Sequence, residues 1–333
     1  MQKRTLTLLV LSGFGMGRYD NSNPIYKAQP KSLNHIRLNY PTGSLQASGI
    51  AVGLPWNEEG NPEVGYLTMG AGKVLYQDYP RISLAVKDKT FFENKELKQA
   101  IAHAKDKGTK VNIVGMLGDG TSFSAYDHLE ALIEMMQKEL VEFSLHMFSG
   151  DPDSGAKDSI RLLSRLPEEK IASISGLHFG MDKDLHWDRT KRAYDVLIGQ
   201  TKALPPETDI KTTIQRLHEN GLTDEFLTPM LICQEGAIKD GDSIVFFNFR
   251  EDSMCQLVNM FTDPDIGNPG DTSIGQIPQP HAIPQDLHIV TFTNYGKQFT
   301  FPVAFPSDRV LNPLGKILAD SGKVQLRLAE TDK

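Results

Sequence analysis

Cysteine is scarce: Cys233 and Cys255 are the only two in 333 residues. That excludes a disulfide framework and a cysteine-rich zinc site, and it makes a reducing cytoplasm the expected compartment. Long hydrophobic runs are missing as well. The longest near the start, residues 6–11, is interrupted by Thr7, against roughly 20 apolar residues needed to cross a bilayer. Lys3 and Arg4 stand before it, but the run is short and passes into Ser12-Gly13-Phe14-Gly15 with no small-residue cleavage pattern. A buried first strand is expected there, not a targeting signal or a membrane anchor. Positive charge is in deficit too. A net charge of −7 leaves little with which to neutralise phosphates, and nucleic acid is excluded as a partner. The chain is neither collagenous nor wholly disordered, with 39% apolar and 23% charged residues and its 28 Gly and 19 Pro spread along the length.

What is there is an alternation of short apolar strands and amphipathic helices, the pattern of an α/β protein with a mostly parallel sheet. Residues 5–11 read as a strand, then Gly13, Gly15 and Gly17 allow a sharp turn. Pro30 can open a helix that Tyr40-Pro41 closes. Asn94 can cap a helix whose apolar face is Leu97, Ala100, Ile101 and Ala104, stopped by Gly108. Strands follow at 111–116, 141–148, 171–174, 243–249, 288–292 and 324–328, with helices from about Ser124, about Trp187, through Leu257 and Phe261, and at 313–320. Residues 262–284, rich in Pro, Gly, Asp and Gln without periodicity, read as a long loop or insertion. An α/β domain that stops at Thr331-Asp332-Lys333, directly after a strand, looks unfinished.

Three stretches carry chemistry-bearing patterns: Leu9-Val-Leu-Ser12-Gly-Phe-Gly15, Asn61-Pro62-Glu-Val-Gly-Tyr66 followed by Gly70-Ala-Gly72, and Phe246-Phe-Asn-Phe-Arg250-Glu-Asp252. Each alone is a common glycine turn or strand-end charge. Together and in this order the chain resembles the cofactor-independent phosphoglycerate mutases of the alkaline phosphatase superfamily. The likeness extends through Leu45-Gln-Ala-Ser-Gly-Ile-Ala-Val-Gly-Leu-Pro55, Ala71-Gly-Lys-Val-Leu-Tyr-Gln-Asp78, Met181-Asp-Lys-Asp184 with Trp187-Asp-Arg189, Thr223-Asp-Glu-Phe226, Gly236-Ala-Ile-Lys-Asp-Gly-Asp242, Pro302-Val-Ala-Phe-Pro306 and Leu326-Arg-Leu-Ala-Glu-Thr-Asp-Lys333. It spans the chain and matches the N-terminal part of the family.

The resemblance implies a partial alkaline-phosphatase-like domain, residues 1–76 and 308–333, carrying a complete inserted α/β transferase-like domain, residues 77–307. It also implies interconversion of 3- and 2-phosphoglycerate in glycolysis through a phosphoserine, with two manganese ions. The family's central groups are replaced. Where family members have a metal-binding aspartate before Gly-Phe-Gly, this chain has Ser12, a poor ligand for a hard divalent cation. Where they have the nucleophilic serine, it has Pro62, which has no oxygen to phosphorylate but suits a first helical turn. Tyr66 replaces a histidine. Phe123 replaces a substrate-contacting histidine, Pro152 and Leu177 replace arginines, and the Arg-Pro-Asp-Arg-Ala-Arg run has become Arg250-Glu-Asp-Ser253-Met-Cys255.

Carried over residue by residue, Asp153, Lys183, Arg250 and Lys333 are what the resemblance leaves for a reduced pocket taking a small phosphorylated or carboxylate ligand. No catalytic residue and no metal or other cofactor are expected in this chain. The expected role is that of a catalytically inactive relative acting as a binding or interaction protein. The alternative is a subunit or fragment completed by a C-terminal half. Under either, the incomplete phosphatase-like sheet is expected to self-associate, to meet a partner chain or to be rewired. Asp182, Asp184, His186 and Asp188 read as a solvated loop with Asp188 capping the next helix, not as a metal site. His103 and His128 read as surface or satisfied core residues, and no base that could activate Ser12 is visible.

Overall fold

The computed structural model describes residues 5–262 and 282–329. The chain divides into two units, one holding residues 81–307 and the other the residues up to Pro80 and from Asp308 onward.

The first of these is built on a six-stranded sheet: β1 (Val111–Met116), β2 (Phe143–Ser149), β3 (Ile171–Gly176), β4 (Met230–Leu231), β5 (Ser243–Phe246) and β6 (His288–Thr291). Their order is β4-β3-β2-β1-β5-β6. All neighbours are parallel except β4, which runs against β3 at the edge. Every residue of β1, β2, β3 and β5 is buried, as a parallel sheet covered by helices on both faces requires. The apolar runs expected at 111–116, 171–174 and 288–292 form these strands. The run at 141–148 starts pairing only at Phe143, after a turn in which Leu140 takes a positive φ of 52°.

The helix Lys95–Lys107 shows how local sequence builds this unit. Asn94 Oδ1 accepts from the backbone N–H of Glu96 and Leu97, both at 3.1 Å, and Gly108 ends the helix at φ 67°. Leu97, Ala100, Ile101 and Ala104 are buried, as their spacing predicts. The Asn94 side chain also donates to the Ala304 carbonyl at 2.6 Å. Asn94→Ala removes both the cap and this tie, so it should lower unfolding stability by about 1–2 kcal/mol, measured by urea denaturation. Two aromatic clusters complete the core. Phe91, Phe292 and Phe305 lie 5.2–6.1 Å apart, and Tyr194, Phe246 and Phe261 meet at 4.8–5.9 Å. Among the described helices of ten residues or more, two carried no expectation: Asp78–Lys87, with Pro80 in its first turn, and Ile210–Glu219. The second had a legible start, since Asp209 accepts from the N–H of Lys211 and Thr212.

The other unit has little core. Its helices are Pro24–Ala28, Lys31–Asn39, Pro62–Ala71 and Leu314–Asp320, and its buried apolar cluster is Val52, Leu54 and Val64. Gly53, at φ 87°, leaves no room for a side chain, because a Cβ there would sit 2.1 Å from the Leu75 carbonyl oxygen. The strands expected at 5–11 and 324–328 are corrected by the structure: neither segment is a strand. Leu6 is 94% exposed and Leu326 84%. The physical reason is that a parallel strand exists only between neighbours that take its N–H and C=O groups and cover its faces. Among the described residues this unit has no strand to pair with either segment. Of the loop expected at 262–284, residues 263–281 lie outside the described residues. No described helix is long and apolar enough to cross a membrane.

Candidate functional site

From β1 the sheet grows in both directions, to β2 and β3 on one side and to β5 and β6 on the other. The connections diverge at the carboxyl ends of β1 and β5, where open α/β sheets place their ligands. Arg250 and Phe123 arrive there from the segments that follow these two strands. Gly115 permits the approach: a Cβ on it would meet the Phe247 ring at 2.5 Å and Asn248 Oδ1 at 2.6 Å. Asn248 Oδ1 instead accepts from the Met116 N–H at 2.8 Å, and the Tyr295 hydroxyl donates to the Asn248 carbonyl at 2.5 Å. The Phe123 carbonyl then accepts from the N–H of Phe249 at 2.9 Å and of Arg250 at 3.4 Å.

The loop after β1 is a nest of N–H groups filled by the segment after β2. The N–H of Asp119 donates to Ser154 Oγ, that of Gly120 to Asp151 Oδ2, and those of Thr121 and Ser122 to Asp153 Oδ2, all at 3.0–3.1 Å. Gly118 and Gly120 are required here, since a Cβ on either would fall within 2.6 Å of Asp151. Asp153, expected to touch ligand, thus directs its Oδ2 to loop backbone and holds the turn that presents Phe123.

Lys183 and Arg250 do come together, and a third residue joins them. Arg250 Nε and one terminal nitrogen donate to the two oxygens of Asp252 at 3.0 and 3.3 Å, while Lys183 Nζ stands 3.7 Å from the same carboxylate. The Arg250 guanidinium carbon lies 5.1 Å from the centre of the Phe123 ring, a cation–π contact that fixes the plane of the fork. Lys333 lies outside the described residues. In the other unit Pro62 is the first residue of the helix Pro62–Ala71, whose cap is Asn61 Oδ1 accepting from Val64 N–H at 3.0 Å. Ser12 is an exposed residue in a turn with Gly13 at φ 74°.

These residues do not fit a two-manganese centre: Ser12 offers a neutral exposed hydroxyl and Pro62 no donor atom. Among the described residues no three His, Cys, Asp or Glu side chains are placed to hold a metal ion. Of the Asp182 cluster, Asp184, His186 and Asp188 are exposed, as a solvated loop requires, and Asp182 departs from that expectation. Asp182 is buried and accepts from Asp184 N–H, His186 N–H and Nδ1, and Arg189, at 2.9–3.2 Å. Burial opposes its charge, but the bonds from His186 prevail and hold the carboxyl below its ordinary range. Asp188 does not cap the next helix. His186 occupies that position and Asp188 lies in the first turn. His103 stacks on His288 at 5.4 Å, and His128 is buried with Nε2 2.8 Å from Ser83 Oγ.

Two buried polar groupings had only faint signals in the sequence. His146, Asn112, Asp242 and Lys110 form a chain of bonds of 2.9–3.2 Å, and His146 also meets Ser173 Oγ at 2.8 Å. Asn and His inside otherwise apolar strands were the visible trace. Asp224, from the Thr-Asp-Glu-Phe stretch, accepts from the Ser159 N–H at 2.8 Å, from His218 Nε2 at 2.7 Å and from the Ser159 hydroxyl. Asp224→Ala leaves these buried groups without their acceptor, so a loss of about 3 kcal/mol or more is expected in denaturant unfolding.

Residues 82–297 match the family described as BPG-independent PGAM N-terminus. Curated relatives named 2,3-bisphosphoglycerate-independent phosphoglycerate mutase are similar along the whole chain. The protein from Aster yellows witches'-broom phytoplasma is 34% identical, over 100% of this chain and 66% of its own length. Those from Moorella thermoacetica and Methanosarcina barkeri are each 36% identical, over 99% of this chain and 64% of theirs. The chain thus spans slightly less than two thirds of the length of these relatives. Among solved structures, Leishmania mexicana phosphoglycerate mutase at low cobalt concentration superposes with a TM-score of 0.62 at 23% identity, covering 94% of this chain and 59% of that one. That likeness carries the α/β fold. On these matches, the chain belongs to the BPG-independent phosphoglycerate mutase family, to whose N-terminal part it corresponds.

Proposed function

We propose that this chain is a non-catalytic member of its family that binds a small phosphorylated or carboxylate anion between Arg250 and Lys183 and acts as a binding or interaction protein. The observation that carries the reading is Pro62, seated as the first residue of a capped helix. At that place the family pattern puts its nucleophile, and proline brings no oxygen and no lone pair. Helix geometry is retained there while the chemistry is gone. No metal or cofactor belongs to this reading, nor does nucleic acid or a membrane. Cys233 and Cys255 are both unpaired, in keeping with a cytoplasmic protein. Calorimetric titration with 3-phosphoglycerate tests it. Binding is expected, and Arg250→Ala should weaken it about tenfold or more, the loss of charge-assisted bonds. A wild-type chain that binds neither phosphate nor carboxylate anions overturns the reading.

A second reading has an observation of its own. Segments 5–11 and 324–328 carry strand-like apolar residues that are exposed, from 43% at Val10 to 94% at Leu6 in the first and 84% or more at Val324, Leu326 and Leu328 in the second, a surface that proteins normally pair or hide. Under this reading a partner polypeptide supplies strands beside them together with the C-terminal half, and the completed assembly performs an altered phosphotransfer. Light scattering across a concentration series, with co-purification from the native source, decides. A monomer that recovers no partner excludes it.

A further inference from the structure

We propose that Asp252 is a built-in competitor for the Arg250–Lys183 anion site, a tethered carboxylate that an incoming anion must displace before it binds. This rests on the anion-binding reading above and adds a regulating element to that same site. Asp252 does what a ligand would do there: both of its oxygens take donors from the Arg250 fork, at 3.0 and 3.3 Å, in the two-pronged geometry by which arginine holds carboxylate and phosphate. Lys183, from the segment after β3, approaches the same carboxylate from a distant part of the chain. A single residue, Glu251, separates Asp252 from Arg250, so its effective concentration at the guanidinium is high. All three side chains are 42–51% exposed, so the clasp is held by weak, exchangeable pairing and not by burial. A clasp of this kind opens readily, and an anion arriving from solvent finds both cations once Asp252 has turned away.

The test is titration of the 333-residue chain with inorganic phosphate, comparing wild type with Asp252→Asn, which keeps the shape and removes the charge. Affinity should rise about fivefold, the Coulomb contribution in water of one charge about 4 Å away. Glu251→Gln removes the adjacent carboxylate, which is outside the clasp, and should change affinity by less than half as much. An unchanged or weaker affinity in Asp252→Asn overturns the proposal while leaving anion binding intact, because Asp252 then positions Arg250 and does not compete. An equal gain in Glu251→Gln also overturns it, as a general charge effect. Absence of phosphate binding in both wild type and Asp252→Asn overturns the proposal together with the reading on which it rests.

Discussion

Supplied with 3-phosphoglycerate and manganese, the purified chain will form 2-phosphoglycerate at no more than about a millionth of the rate of a relative with an intact nucleophile. That factor is what loss of an activated nucleophile costs in a well-studied hydrolase. Further losses in the same constellation add little, because groups that act as a unit fail as a unit. Pro62→Ser will not restore turnover. A serine would be tolerated at the start of a helix whose cap is supplied by Asn61. Its hydroxyl would still lack what makes serine a nucleophile, an adjacent base or metal to hold its oxygen as alkoxide. Ser12 provides no anionic ligand for such a metal. A coupled assay on wild type and Pro62→Ser, with contaminant controls, measures this. Robust turnover by wild type would show that the oxygen comes from elsewhere.

Acid will destabilise the protein well above the carboxylate range. His128 and His146 are buried, and burial pushes both imidazoles down to about 3, in His146 with a smaller contribution from nearby Lys110. In the unfolded chain each returns to about 6.5. Between these values the unfolded state binds two protons that the folded state does not. Stability is therefore complete above about pH 6.5 and falls as pH drops toward 3, by about 1.4 kcal/mol per unit for each histidine. Near pH 5 the combined loss is about 4 kcal/mol, a large fraction of the stability of an ordinary domain. Asp127, 3.9 Å from His128 Nε2, does not rescue the charged imidazole, because burial pushes its own carboxyl up. Urea midpoints at pH 7.5, 6 and 5 give the slope, and His146→Gln should halve it. A flat profile over this range would exclude the buried neutral pair.

The helix Lys95–Lys107 was legible down to its cap, its stop and its four buried residues, because capping and amphipathic spacing act over a few neighbouring residues. The strands β1, β3, β5 and β6 were legible for the same reason. Arg250 and Lys183 were legible as a pair only through family resemblance, and their partner Asp252 was not. Asp153 was read as a ligand contact, although its carboxylate serves N–H groups 31 and 32 residues away. Asp224 and Ser159 are 65 residues apart. A carboxylate has several directions in which to accept a hydrogen bond, and spacing along the chain does not say which donor will be brought to it.

By itself, then, the amino-acid order determined the helix Lys95–Lys107 and the strands β1, β3, β5 and β6 in the unit of residues 81–307, the family, and the absence of a side-chain oxygen at Pro62. These follow from covalent structure and from interactions between close neighbours. Tertiary structure decided that segments 5–11 and 324–328 are not strands, that Asp153 holds a loop, that Asp182 is a buried staple, and that Asp252 occupies the two cations. Each of these depends on groups remote in sequence meeting in space: a strand needs another strand beside it, and a charge takes whichever opposite charge or N–H the fold brings nearest.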